Sequence, residues 1–335
     1  MANILVTGGA GYIGSHVVKL LGQAGHHVVT LDNLSKGNRG AVLYGELVVG
    51  DTGDSALVTQ TLRDYQIETV MHFAAWTIVP ESVSDPLKYY RNNTCSARTL
   101  IECCVAAEVQ HFIFSSTAAV YGIPATPVCR EDTPKAPINP YGSSKLMAEQ
   151  ILRDACAASG MRHVILRYFN VAGSDPDAEI GQSTKDATLL IKVACEVATG
   201  KRPELLVFGT DYPTADGTGV RDYIHVCDLA TAHLRAMDYL ASHGESTTLN
   251  CGYGHGYSVR QVIDVIERLT GAPLPVRYEP RRAGDPPELV ADASALNARF
   301  AWQPKFDDLT EIVRTSLAWE RKIAAGLVAE GRART

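Results

Sequence analysis

Tyr141 and Lys145 stand in a Tyr-Gly-Ser-Ser-Lys segment directly after Pro140. Proline favours the first position of a helix, and the Tyr-x-x-x-Lys spacing then puts phenol and ammonium on one helical face. An ordinary tyrosine, with a pKa near 10, is no base at neutral pH. A cation one turn away stabilises the phenolate and moves it toward the working range, so the pair predicts proton exchange with a substrate hydroxyl. Such a pair also arises by chance on surfaces and in cores, so its setting decides its meaning. Upstream, the run Phe114-Ser115-Ser116-Thr117 ends with a hydroxyl that can reach the same substrate oxygen as Tyr141.

A second chemical signal lies at the start of the chain. Thr7-Gly8-Gly9-Ala10-Gly11-Tyr12-Ile13-Gly14 joins a short β-branched run to an amphipathic segment. Its glycines permit a tight turn, close backbone approach to a pyrophosphate and tight packing of helix on strand. A glycine-rich turn alone often only makes a turn, but Asp32 ends the next apolar run, where a carboxylate accepts hydrogen bonds from adenosine ribose hydroxyls. The same carboxylate repels a 2′-phosphate, which favours NAD over NADP. Asp51, ending the third run, is placed to meet the adenine amino group. The positive nicotinamide ring of NAD would add to Lys145 in stabilising the Tyr141 phenolate.

The elements that must position these groups are short apolar runs alternating with longer amphipathic ones. Ile4–Thr7, Val28–Asp32, Leu47–Asp51, Thr69–Ala75, His111–Ser116 and Val164–Tyr168 read as buried strands. Residues 12–24, 54–65, 86–107 and 141–158 supply helical crossovers. The fold class is therefore α/β, a doubly wound parallel (Rossmann) sheet over residues 1–175. From about 174 to 222 the pattern gives way to turn formers, and a smaller C-terminal α/β lobe is predicted over 176–335. Within it 228–240, 258–269 and 307–325 are helical, with Ser258 and Asp307 as N-caps. Tyr223–Val226 and Thr248–Cys251 read as strands, which makes the segment near 223–251 a candidate to return to the first domain.

Composition sets outer bounds. The 335 residues are 46% hydrophobic and 20% charged, ample for a core and unlike a disordered chain or a coiled coil. With 31 Lys+Arg against 37 Asp+Glu, no positive excess exists to neutralise nucleic acid or an anionic membrane surface. No apolar stretch approaches a membrane span, and the N-terminal run is too short for a signal-peptide core. The eight cysteines form no C-x-x-C pair or Cys/His cluster, so reduced thiols in the cytoplasm, and no metal, are expected.

Taken together, these residues resemble the extended short-chain dehydrogenase/reductase family, and within it the UDP-glucose (UDP-galactose) 4-epimerases. The likeness spans nearly the whole chain. It is carried by the glycine turn through His16, Asp32-Asn33-Leu34, His72 to Ala75, Tyr89 to Asn93, Tyr141 to Met147 and Arg167 to Asn170. More specific are Gly209 to Tyr212, Gly217 to Val226 and Arg281-Arg282-Ala283-Gly284-Asp285. The resemblance implies that Tyr141 is the base, Lys145 its electrostatic partner and ribose ligand, and Thr117 a sugar-positioning hydroxyl. It implies that Gly8, Gly11, Tyr12, Ile13, Gly14, Asp32, Asn33, Asp51, Thr52, Phe73, Ala74, Ala75, Asn93, Ser115 and Tyr168 line an NAD site. Asn170, Phe208, Arg221, Arg282 and Asp285 would hold a uridine diphosphate, and guanidinium forks do match diphosphate oxygens. Relatives are often homodimers through a helical face such as 86–107.

Two positions depart from that pattern. Thr77 stands where many of these epimerases have a lysine near the pyrophosphate, and Leu189 where an Asn or His reaches the nucleotide sugar. Leu289 falls where the family places a gate between plain and N-acetylated hexoses. Sugar-nucleotide dehydratases on the same scaffold carry a carboxylate just after the Ser/Thr, whereas here Thr117 is followed by Ala118 and Ala119, which carry no proton. The expectation is interconversion of UDP-glucose and UDP-galactose through a transient 4-keto sugar. The alternatives are a 4-epimerase of UDP-xylose, UDP-glucuronate or a UDP-N-acetylhexosamine, a keto-sugar reductase, and a non-catalytic dinucleotide-sensing protein.

Overall fold

A computed structural model of the chain describes every residue except 185–186, 283 and 328–335, so Ala283 lies outside the described residues. Seven parallel strands form the central sheet, in the spatial order Thr247–Cys251, Arg162–Tyr168, His111–Thr117, Thr69–His72, Asn3–Thr7, His27–Asp32 and Glu46–Val49. Successive side chains of Asn3–Thr7 enter different cores. Ile4 and Val6 join the helices Tyr12–Gln23 and Val226–Ala241, while Leu5 joins Ser55–Asp64, Ala97–Ala106 and Pro140–Ser159. Burial on both faces is why the inner strands read as unbroken apolar runs, whereas Glu46–Val49, expected to be buried, lies at the sheet edge with Glu46 and Val49 exposed.

After Glu46–Val49 the chain crosses back to the other side of Asn3–Thr7, so Asn3–Thr7 and Thr69–His72 flank the point where winding reverses. The crevice beyond the carboxyl ends of these strands is where ligands bind in such sheets. Thr69–His72 stops short of the predicted Ala75. The Phe73 amide still donates to the Thr7 carbonyl at 2.9 Å, but Ala74 then passes against Gly8 and leaves the ladder. The predicted 86–107 helix is continuous except that Tyr90–Ser96 widens into a π-turn, a feature common at functional sites.

A separate core forms where Leu190–Ala198, Val259–Thr270 and Leu309–Ala324 pack together. Leu190–Ala198 and the strand Leu205–Phe208 correct the expectation of a loop-rich stretch over 174–222. Turn residues on either side of these elements masked one short apolar helix. Ser258 is the N-cap as predicted, in a capping box with Gln261, whereas the last long helix is capped by Asp308. Asp307 instead pairs with His255 at 2.7 Å. No described helix is long and apolar enough to cross a membrane.

Candidate active site

The glycine turn enters Tyr12–Gln23 through Gly11. Gly8 holds φ +72°, and a Cβ there would lie 2.6 Å from the Ala74 amide nitrogen, so only glycine fits both the conformation and the space. A Cβ at Gly14 would collide with the Gly8 carbonyl; one at Gly11 would meet only that carbonyl and otherwise project into open space. That opening is a cleft of about 560 Å³, lined by Gly8, Gly11, Asp32, Asn33, Asp51, Thr52, Phe73, Ala74 and Ala75, all expected from the sequence. A helix N-terminus stripped of side chains suits a dinucleotide pyrophosphate. Ser35, Lys36, Gly37, Trp76 and Asn92 line the same cleft and were not anticipated.

Asp32 is buried, and its oxygens accept from the amides of Ala10 (3.0 Å) and Leu34 (2.8 Å). Burial raises its pKa, against those two hydrogen bonds. Asp51 accepts from Asn33 Nδ2 and from the Gly53 amide, each at 2.8 Å. Both carboxylates thus shape the loop while keeping lone pairs for a ligand. The other expected residues lie away from the cleft lining. Asn93, on the π-turn, grips the backbone of Trp76 through N–H and C=O and donates to Ser144. Ser115 bonds buried His233 at 2.8 Å. Ile13 packs into the core, and the Tyr12 hydroxyl donates to the Gly173 carbonyl at 2.5 Å.

Asn139 caps the helix that carries the proton-handling pair, accepting from the Gly142 amide at 2.9 Å, with Pro140 in its first turn. Tyr141 is buried beside Thr117, whose hydroxyl accepts from the Ala119 amide at 3.1 Å. Lys145 is 3% exposed, and its ammonium lies 4.3 Å from the centre of the Phe114 ring. Burial pushes Lys145 down to about 7, with Glu149 the opposing charge. Burial likewise raises Tyr141, opposed in part by the Thr117 hydroxyl. The sequence expectation joins Lys145 to the positive nicotinamide ring of NAD in stabilising the phenolate; within the chain itself, burial opposes that charge.

Beneath the pair lies a network missed from the sequence. Glu149, fully buried, accepts from Ser116 Oγ (2.6 Å) and from Arg167 Nε and Nη2 (2.9 and 2.6 Å). Arg167 also donates to the Tyr121 hydroxyl at 3.1 Å, which donates to Asn250 at 2.6 Å. Glu149 follows Lys145 at the same spacing by which Lys145 follows Tyr141, a signal that was available.

Four of the five expected diphosphate residues form two pairs. Arg221 pairs with Asp285 at 2.9 Å, and the Arg282 guanidinium lies 3.8 Å from the centre of the Phe208 ring. Leu289 stands beside Arg221 in the strand register and packs on the cluster containing Ala118 and Tyr121, next to Thr117. Asn170 and Leu189 line a second cavity of about 390 Å³ with Tyr12 and Tyr223. Thr77 is exposed beside Trp76.

A profile of the NAD dependent epimerase/dehydratase family matches residues 4–252. The chain belongs to that family. A UDP-glucose 4-epimerase of Azospirillum brasilense is 54% identical over 96% of the chain and 92% of the relative. The crystal structure of UDP-glucose 4-epimerase from Brucella ovis in complex with NAD is 45% identical, with TM-score 0.93 over 95% of this chain and 98% of that one. The UDP-Glc/GlcNAc 4-epimerase from Campylobacter jejuni is 48% identical, with TM-score 0.85 over 96% and 100%. Doubly wound α/β architecture is thus common to this family member and its relatives.

Proposed function

We propose that this family member interconverts UDP-glucose and UDP-galactose by inverting C4. The observation that carries the reading is Tyr141 buried beside Thr117 at the carboxyl edge of the sheet, with two alanines following Thr117. In this reading Tyr141 removes the proton of the 4-hydroxyl and later returns it to the same oxygen. NAD, when bound, accepts the C4 hydride and gives it back to the opposite face of the 4-keto sugar. Thr117 orients the hydroxyl, and Lys145 holds the positive charge that favours the phenolate and donates to the nicotinamide ribose. Arg221 and Arg282 bind the diphosphate, so the sugar is anchored by its nucleotide and can turn between the two half-reactions. With no carboxylate beside Thr117, elimination lacks its acid and base.

The eight unpaired thiols suit a reducing cytoplasm. Exposed Val83, Leu87 and Met147, on helices next to the site, suit burial against a second copy of the chain. Light scattering at twice the 36.1 kDa chain mass would support that dimer. The decisive experiment incubates the purified protein with a panel of UDP-sugars and no added cofactor. Interconversion of UDP-glucose and UDP-galactose is expected, and NADH accumulating in step with product would refute epimerisation.

A further inference from the structure

The dinucleotide cleft has two walls that meet across its mouth. One is the segment 33–38, drawn over the glycine turn by Asn38, whose amide donates to the Ala10 carbonyl at 2.9 Å. Gly37 comes so close that a Cβ on it would lie 2.8 Å from the Ala10 methyl. The other wall is Trp76, fixed at its N–H and C=O by the Asn93 side chain, each bond 2.9 Å. Lys36, exposed on the first wall, reaches to 5.3 Å from the centre of the Trp76 ring. Lys88 holds the same ring at 3.7 Å but is committed to Glu81 at 2.6 Å.

Charge makes this geometry pointed. The ionisable residues lining the cleft are Asp32, Asp51 and Lys36, so Lys36 is the one cation among the described lining residues. A pyrophosphate brings about two negative charges toward two carboxylates, and the helix N-terminus answers with only about half a positive charge. Thr77, beside Trp76, adds none. A reaction without net redox change needs the same cofactor to take and return its hydride. Loss of the reduced cofactor in mid-cycle would strand the keto sugar, so slow release is a functional demand.

We propose that Lys36 and Trp76 form a latch across the cleft, in which Lys36 neutralises the cofactor pyrophosphate and Trp76 holds the ammonium over it by cation–π contact. The assignment rests on the NAD-dependent reading above and adds to it the residues that set cofactor residence time.

The test measures bound NAD per chain in the purified protein and its release rate into an enzymatic trap that consumes free NAD, at low and high salt. Lys36→Met is expected to release NAD at least about tenfold faster, with a weaker response to salt and an unchanged melting curve of the nucleotide-free protein. Lys36→Arg should hold NAD nearly as the wild type does. Trp76→Leu should speed release in the Lys36 background and add little once Lys36 is Met. A Lys36→Met/Thr77→Lys double variant, which returns a cation to the other wall, should slow release again. An NAD-loaded wild type whose release rate Lys36→Met leaves unchanged overturns the latch alone. A wild type that neither carries nor binds NAD overturns the cofactor reading beneath it.

Discussion

Replacing Lys145 by methionine should stabilise the fold while abolishing turnover. The ammonium is buried at 3% exposure and pushed from 10.5 down to about 7 by desolvation, so keeping it charged corresponds to roughly 4–5 kcal/mol below neutral pH. Its contact with the Phe114 ring at 4.3 Å recovers about 2 kcal/mol that the variant also loses. Methionine fills the same space without charge, leaving a net gain of about 2 kcal/mol, or about 3 °C in Tm for a chain of this size. The pH dependence has a definite sign. Because the folded-state pKa lies below the unfolded one, the penalty is complete below about pH 7. Between about 7 and 10.5 the unfolded chain holds more protons than the folded one, so wild-type stability rises with pH and the gap to the variant closes. Calorimetry or urea titration of nucleotide-free wild type and Lys145→Met at pH 6 and pH 9 measures this. A variant less stable than wild type at pH 6, or a gap equal at both pH values, would refute the reasoning.

Other expectations follow from the same site. Tyr141→Phe should fold and retain NAD but lose turnover by about 10²–10⁴-fold, since only the phenolic oxygen is removed; near-wild-type kcat would exclude Tyr141 as the base. Product formed in heavy water should carry no deuterium at C4, because the hydride leaves and returns within one closed complex, and NMR detects any that enters. Leu289, packed beside Ala118 and Tyr121, should crowd an acetamido group by about 1–3 kcal/mol, so plain UDP-hexoses are preferred over N-acetylated ones. Leu289→Ala should raise the relative kcat/KM on the N-acetyl pair and Leu289→Tyr should remove it; a ratio unmoved by either change would exclude Leu289 as the gate.

Much of the sheet was legible because parallel strands buried on both faces are unbroken apolar runs, and Ile4, Leu5 and Val6 needed only their types to be placed. The glycine turn and the Tyr141/Lys145 pair were legible because their chemistry depends on local spacing. What stayed hidden depends on contacts between distant residues. Lys36 meets Trp76, and Glu149 meets Arg167, only after the sheet has brought separate segments together. The π-turn at Tyr90–Ser96 shifts the helix by backbone hydrogen bonding that apolar periodicity does not register. Asp307 and Asp308 are adjacent and chemically alike, so only the path of the chain decides which one caps. The depression of Lys145 reflects how dry its pocket is, a property of the packed interior.

The strand Thr247–Cys251, which closes one side of the central sheet against Arg162–Tyr168, has a consequence for synthesis. While the chain is being made, Arg162–Tyr168 emerges long before its partner, and roughly 80 further residues must follow first. At about 5–20 residues per second the ribosome leaves that edge unpaired for about 4–16 s. Its backbone N–H and C=O groups then offer a template to neighbouring chains, a hazard that folded edges normally guard against. Helix Val226–Ala241, which packs on Tyr12–Gln23, is made just before Thr247–Cys251 and can dock first, bringing the last strand to its place as it leaves the exit tunnel. A fragment ending near residue 175 would keep the edge permanently open, so it should aggregate where the full chain stays dispersed.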